Sequence, residues 1–150
     1  LSEGVYGRST VAAVGIAAHE TGHALQHAEG YGPVKLRTAM VPVTNFASGL
    51  SPILILLGIV MSMDALAYAG IALFSMATLF QLVTLPVEFN ASARAVAALE
   101  SSGQFTEDEL KGVKKVLTAA ALTYVAALLV SLMTLLRLIL IVGGNGRRRR

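Results

Sequence analysis

Residues 50–85 read LSPILILLGIVMSMDALAYAGIALFSMATLFQLVTL, and a single charge, Asp64, interrupts them. Uninterrupted apolar runs of about 20 residues are long enough to cross the hydrocarbon core of a bilayer. Asp64 falls between two such runs, where a polar residue marks a tight corner. The stretch therefore predicts a transmembrane hairpin, with a first span over about 38–63 and a second over about 65–85 that ends at Pro86. Pro42 and Pro52 predict that the first span begins as irregular or kinked chain, with the regular part starting at Leu50.

Charge is scarce well beyond that hairpin. Between residues 38 and 87 Asp64 is the only charge, and residues 116–136 carry none. The second stretch predicts a third span over about 116–142, ended by Gly143-Gly144-Asn145-Gly146. Hydrophobic residues make up 55% of the 150-residue chain and charged residues 14%, against roughly 25% charged in a soluble domain. The class is all-α, a polytopic membrane protein with the lipid bilayer as its solvent. Between the second and third spans, an amphipathic helix is expected over about 87–100 and a loop at Ser101-Ser102-Gly103. Thr106 with Glu109 three residues later then forms a capping box that opens the last helix.

The net charge of +3 comes largely from Arg147, Arg148, Arg149 and Arg150. Beside an apolar helix, such a run meets anionic headgroups or is a solvated tail. No aromatic-rich basic surface accompanies it, so nucleic acid is not an expected partner. Cysteine is absent, which leaves His, Asp and Glu as possible metal ligands.

Upstream of the hairpin, residues 10–28 read TVAAVGIAAHETGHALQHA. Ser9 or Thr10 predicts the N-cap of a helix running to about Ala28, with Gly30 as its stop and Gly30-Tyr31-Gly32-Pro33 as a turn. Its uncharged run is too short to span, so it is a packed helix at or near the membrane surface. Within it, His19-Glu20-Thr21-Gly22-His23 has the form H-E-x-x-H. Residues i and i+4 share a helical face, so both imidazoles can address one metal ion, with Glu20 placed to act on a water there. That is the metal core of a zinc peptidase.

A catalytic zinc needs a third protein ligand. His27 extends the series, but at 1.5 Å per residue it stands about 12 Å from His19 along a straight helix, while zinc–nitrogen bonds are about 2 Å. His27 is left to support the site, to face substrate, or simply to suit the helix C-terminus. Glu88 is the better candidate. Two spans return the chain to the side it left, and Glu88 is the first charge after them, a carboxylate that is costly to bury alone. The alternative is a headgroup-level glutamate facing water.

The segments HETGHALQH, PVTN, LFQLVTLPVEFNASARA and AALTYVAA resemble the bacterial neutral zinc metallopeptidase family over nearly the whole chain. The family is similar to a wider group of membrane-integrated gluzincin-like peptidases, in which a glutamate after a transmembrane hairpin completes the zinc site. The resemblance implies His19, His23 and Glu88 as zinc ligands and Glu20 as catalytic base. The expected architecture is a single membrane-embedded domain over 1–150, with the metal-binding helix packed against the hairpin and a third transmembrane helix toward the C-terminus. Two departures stand out. Asn90 occupies a position where the family usually has Asp, and an amide cannot support a ligand histidine with charge. Family members also carry a further hydrophobic segment and a polar region ahead of Leu1, so this chain is expected to be an excerpt.

The expected reaction is peptide-bond hydrolysis, with polypeptides, membrane proteins among them, as substrates. His27, Asn90, Arg94 and Tyr124 are the candidates for oxyanion stabilisation. A non-catalytic zinc-binding scaffold and a small transporter subunit are the alternatives, and the presence of Glu20 argues against the first. Lys35, Arg37, Arg94, Lys111, Lys114 and Lys115 share the site's side, which favours a cytoplasmic active site in a multi-pass cell-membrane protein. Three spans then put the arginine run outside, against the same rule.

Overall fold

A computed structural model describes residues 9–147, with side chains through 144. Four helices account for it: α1 (Val11–Ala28), α2 (Gly32–Val60), α3 (Asp64–Ser102) and α4 (Glu107–Arg147). No strand occurs among the described residues. The all-α class is as expected.

Side-chain capping sets the starts of α1 and α4. Thr10 is the N-cap of α1, its hydroxyl accepting from the Ala13 amide at 3.2 Å, and Gly30 follows the C-terminus with φ +67°. At α4 the Glu109 carboxylate accepts from the Thr106 amide at 2.8 Å, and the Glu109 amide donates back to the Thr106 hydroxyl at 3.3 Å. This reciprocal pairing is the anticipated capping box.

The prolines act differently from expectation. Pro42 and Pro52 lie inside α2, and Pro86 inside α3, without ending either helix. The first span therefore does not begin as irregular chain. The expected break at Pro86, with a separate amphipathic helix after it, is replaced by one continuous α3. Likewise α4 continues through Gly143-Gly144-Asn145-Gly146 rather than stopping there. In water a proline inside a helix costs about 3 kcal/mol. In hydrocarbon, ending the helix would strand several backbone groups, each worth several kcal/mol, and continuing it is the smaller penalty. Gly32 and Pro33, expected in a turn, instead open α2, where a missing proline N–H is harmless and its fixed φ suits the helix. The side chains of the arginine run at 147–150 lie outside the described residues.

Three helices, α2, α3 and α4, are long and apolar enough to cross a membrane. Large apolar side chains point outward along them, among them Phe46, Leu56, Val130, Met133 and Leu140, each more than 60% exposed. A soluble monomer rarely presents so continuous an apolar exterior. Lipid is the medium these surfaces suit.

The chain groups into two compact units. One comprises the chain up to Leu36 with Thr84–Val125, the other Arg37–Val83 with the chain from Ala126 onward. In the second, Ile55, Ala67, Ile71 and Val142 form a core. Here α2 and α3 meet closely: a Cβ on Gly58 would collide with the backbone nitrogen of Ala67, and the Ser51 hydroxyl donates to the Gly70 carbonyl at 2.9 Å. Small residues at the crossing and a buried hydroxyl bond are how helices associate where burial from water offers no drive. Thr78 and Ser131, 2.7 Å apart, tie α3 to α4 in the same way.

The first unit holds α1, the C-terminal part of α3 and the first turns of α4 around Ala95, Val113 and Leu117. Gly22 lies against Ala91, and a Cβ there would run into the Ala91 carbonyl oxygen. Backbone cannot rotate away as a side-chain tip can. Gly22→Ala is therefore expected to destabilise the protein by about 1–3 kcal/mol or more, the usual penalty of overpacking. Gly49→Ala, with nothing within 4 Å of the added methyl, should be neutral or stabilising by up to about 1 kcal/mol. Thermal unfolding of the two variants in the same detergent checks the contrast.

Candidate metal centre

One turn of α1 presents His19 and His23 on a single face, their rings edge-on with centroids 4.6 Å apart at 85°. Two residues past Pro86, α3 brings Glu88 to the same point, its side chain buried at 3% exposure. Glu88 Oε2 lies 3.1 Å from His19 Nε2 and 3.5 Å from His23 Nε2. The three side chains each offer a ligand atom within 4.8 Å of the others. Zinc bonds of about 2.0–2.1 Å at tetrahedral angles put neighbouring ligand atoms about 3.3 Å apart. The observed separations bracket that value, so the donor set fits such an ion.

The far side of each imidazole is also occupied. His23 Nδ1 lies 2.9 Å from Gln26 Oε1, and His19 Nδ1 lies 3.1 Å from Ser92 Oγ. Gln26 is fully buried, and its orientation follows from its surroundings. Its amide nitrogen donates to the Val87 carbonyl at 2.8 Å and to Asn90 Oδ1 at 3.0 Å, both of them acceptors. Oε1 must then face His23, so His23 Nδ1 is the donor. With Nδ1 engaged by Gln26, Nε2 is the ring nitrogen that faces Glu88. A hydrogen bond of this kind is what fixes tautomer and ring direction in metal-ligating histidines.

The chain of contacts continues outward. Asn90 Oδ1 also accepts from Arg94 Nε at 2.8 Å, and Arg94 Nη1 pairs with Glu29 at 2.7 Å. The guanidinium lies 6.0 Å from the Tyr31 ring centroid, at the outer limit of a cation–π contact. Glu29, Arg94, Asn90, Gln26 and His23 thus form one series across α1 and α3. Asn90 meets no ligand histidine directly. It holds the residue that does, a task for which an amide oxygen suffices.

Of the residues singled out in the sequence, His19, His23 and Glu88 come together. Glu20 is exposed one residue after His19, about 100° around the helix from it. His27 is exposed in the last turn of α1 and outside the three-residue cluster. Tyr124 borders a cavity that His19 and Glu88 also line. Gln26 and Ser92 were missed, although spacing could have found them: Gln26 is three residues after His23 and Ser92 four after Glu88, the distances at which helical side chains meet. Replacing Gln26 by leucine is expected to weaken metal binding about 10–100-fold, the usual loss when an outer partner of a ligand goes. Competition against a chromogenic chelator measures it.

A family model described as "Putative neutral zinc metallopeptidase" matches residues 1–143. The "Putative membrane protease YugP" of Bacillus subtilis (strain 168) is 55% identical over 141 residues, covering 94% of this chain. The chain spans 63% of that relative's length. No solved structure matches. With the family pattern running through α1, the hairpin and most of α4, this chain belongs to the neutral zinc metallopeptidase family.

Proposed function

We propose that the protein is a membrane-integrated zinc metallopeptidase, with His19, His23 and Glu88 holding the ion and Glu20 acting as general base. The observation that carries the reading is the buried carboxylate of Glu88 set against two imidazole Nε2 atoms at 3.1 and 3.5 Å, with an H-E-x-x-H glutamate beside them. The chemistry supplied when zinc is bound is Lewis acidity, which polarises the scissile carbonyl and draws the pKa of water toward neutrality. Glu20 would take the proton from the attacking water as the new C–O bond forms, and deliver it to the leaving amine nitrogen as the C–N bond breaks. Gln26 and Ser92 keep the two rings aimed during turnover. The substrates are polypeptides presented at the membrane, and the site faces the cytoplasm, on the side of Lys35, Arg37, Lys111, Lys114 and Lys115.

The test uses the full chain in detergent or nanodiscs with casein as substrate. Cleavage should stop with a chelator and return on adding zinc. Chelator-resistant cleavage overturns the reading. So does stoichiometric zinc that supports thermal stability without hydrolysis, which is the scaffold outcome. Ion flux in proteoliposomes without chelator-sensitive cleavage would favour a transporter.

A further inference from the structure

Beside the metal cluster the first unit contains a cavity of about 140 Å³. His19 and Glu88 form one end of it, and α4 supplies the opposite wall through Val116, Leu117, Ala121 and Tyr124. Leu117 and Ala121 are each 4% exposed and make the floor. Ile16, Ala120 and Tyr124 are exposed and make the rim, so the cavity is reached from outside. Apart from His19 and Glu88, no ionisable group other than the Tyr124 phenol lines it.

Size and chemistry together narrow the occupant. An apolar cavity of about 150 Å³ accommodates a benzene molecule, so this one has room for a phenyl ring or a branched aliphatic chain. A charged side chain would lose its hydration against Leu117, Val116 and Ala121, a loss of several kcal/mol, and the Glu88 carboxylate that could attract a cation is already engaged by His19 and His23 at 3.1 and 3.5 Å. An anionic one would in addition face Glu88. Position supplies the rest. His19 and Glu88 belong both to the ligand cluster and to the cavity wall, and consecutive residues of a peptide are 3.8 Å apart. A peptide carbonyl at the cluster therefore has a neighbouring side chain at the cavity mouth.

We propose that this cavity is the specificity pocket for the residue flanking the cleaved bond, and that it selects uncharged apolar side chains up to the size of a phenyl ring. The proposal rests on the hydrolytic reading above. Leucine, methionine and phenylalanine are the side chains it takes, and one methylene more or less in such a pocket changes kcat/KM by about 10–200-fold.

Two measurements test it independently. In the first, casein fragments made by the full chain are mapped by mass spectrometry. Leucine, methionine or phenylalanine should be enriched at one position beside the cut. Ala121→Leu, which fills the floor, and Ala120→Leu, which narrows the exposed rim and leaves the buried Leu117 and Ala121 in place, should each shift that position to alanine, glycine or serine. The phenylalanine-over-alanine ratio should fall about 10-fold or more. In the second, the Glu20→Gln protein is irradiated with a glycine–serine peptide carrying one diazirine analogue of leucine, and cross-links are expected within residues 116–124. Unchanged cleavage positions in both variants, or cross-links confined to other segments, overturn the proposal. Cross-links at 116–124 without any casein cleavage by the native protein leave the pocket standing and remove the hydrolytic reading instead. Absence of both removes the two together.

Discussion

Glu20→Gln should lower peptide hydrolysis by about 10²–10⁴-fold, the usual contribution of a positioned proton carrier, while zinc content stays at the native level. The argument is one of position and chemistry. Glu20 sits at the edge of the face that carries His19 and His23, exposed and outside the three-residue cluster. Glutamine keeps its shape but cannot accept the proton that attack on the carbonyl releases. Metal analysis beside the casein assay reads both halves of the expectation. A variant that loses zinc as well would make Glu20 part of the ion's grip, and one that keeps full activity would give the base role to another group.

Glu88→Ala has the opposite signature. Zinc binding should weaken by about 100-fold or more, beyond the 10–100-fold that an outer partner typically costs, and hydrolysis should disappear with it. Glu88 is buried on α3, and it alone represents that helix among the three residues that could hold the ion. Without it, the two imidazoles of α1 must bind the ion unaided, and zinc sites with two protein ligands are not the catalytic norm. Full zinc occupancy in Glu88→Ala would rule out the assignment.

The class of the fold was legible because it follows from hydropathy and length, and the helix starts at Thr10 and Thr106 because capping is local chemistry. The gathering of His19, His23 and Glu88 was legible for a different reason: counting crossings says which side of a membrane a residue reaches. What escaped was the effect of the medium. Pro42, Pro52 and Pro86 read as interruptions on a scale made for water, and hydrocarbon reverses that judgement by penalising loose backbone more than an imperfect helix. The three-residue spacing of Gln26 from His23 says that the two can meet, but not what holds the amide in place, which Val87 and Asn90 do from across on α3.

Gly22 carries a consequence for how such motifs are recognised. Two letters of H-E-x-x-H are conventionally left blank, yet here the second of them is dictated by a neighbouring main chain that leaves no room for a methyl group. The blank acts as a spacer gauge: it sets how near two rods can lie, and so whether a carboxylate borne by one can touch imidazoles borne by the other. In this pair of helices, the glycine at that letter is what lets the third donor come close.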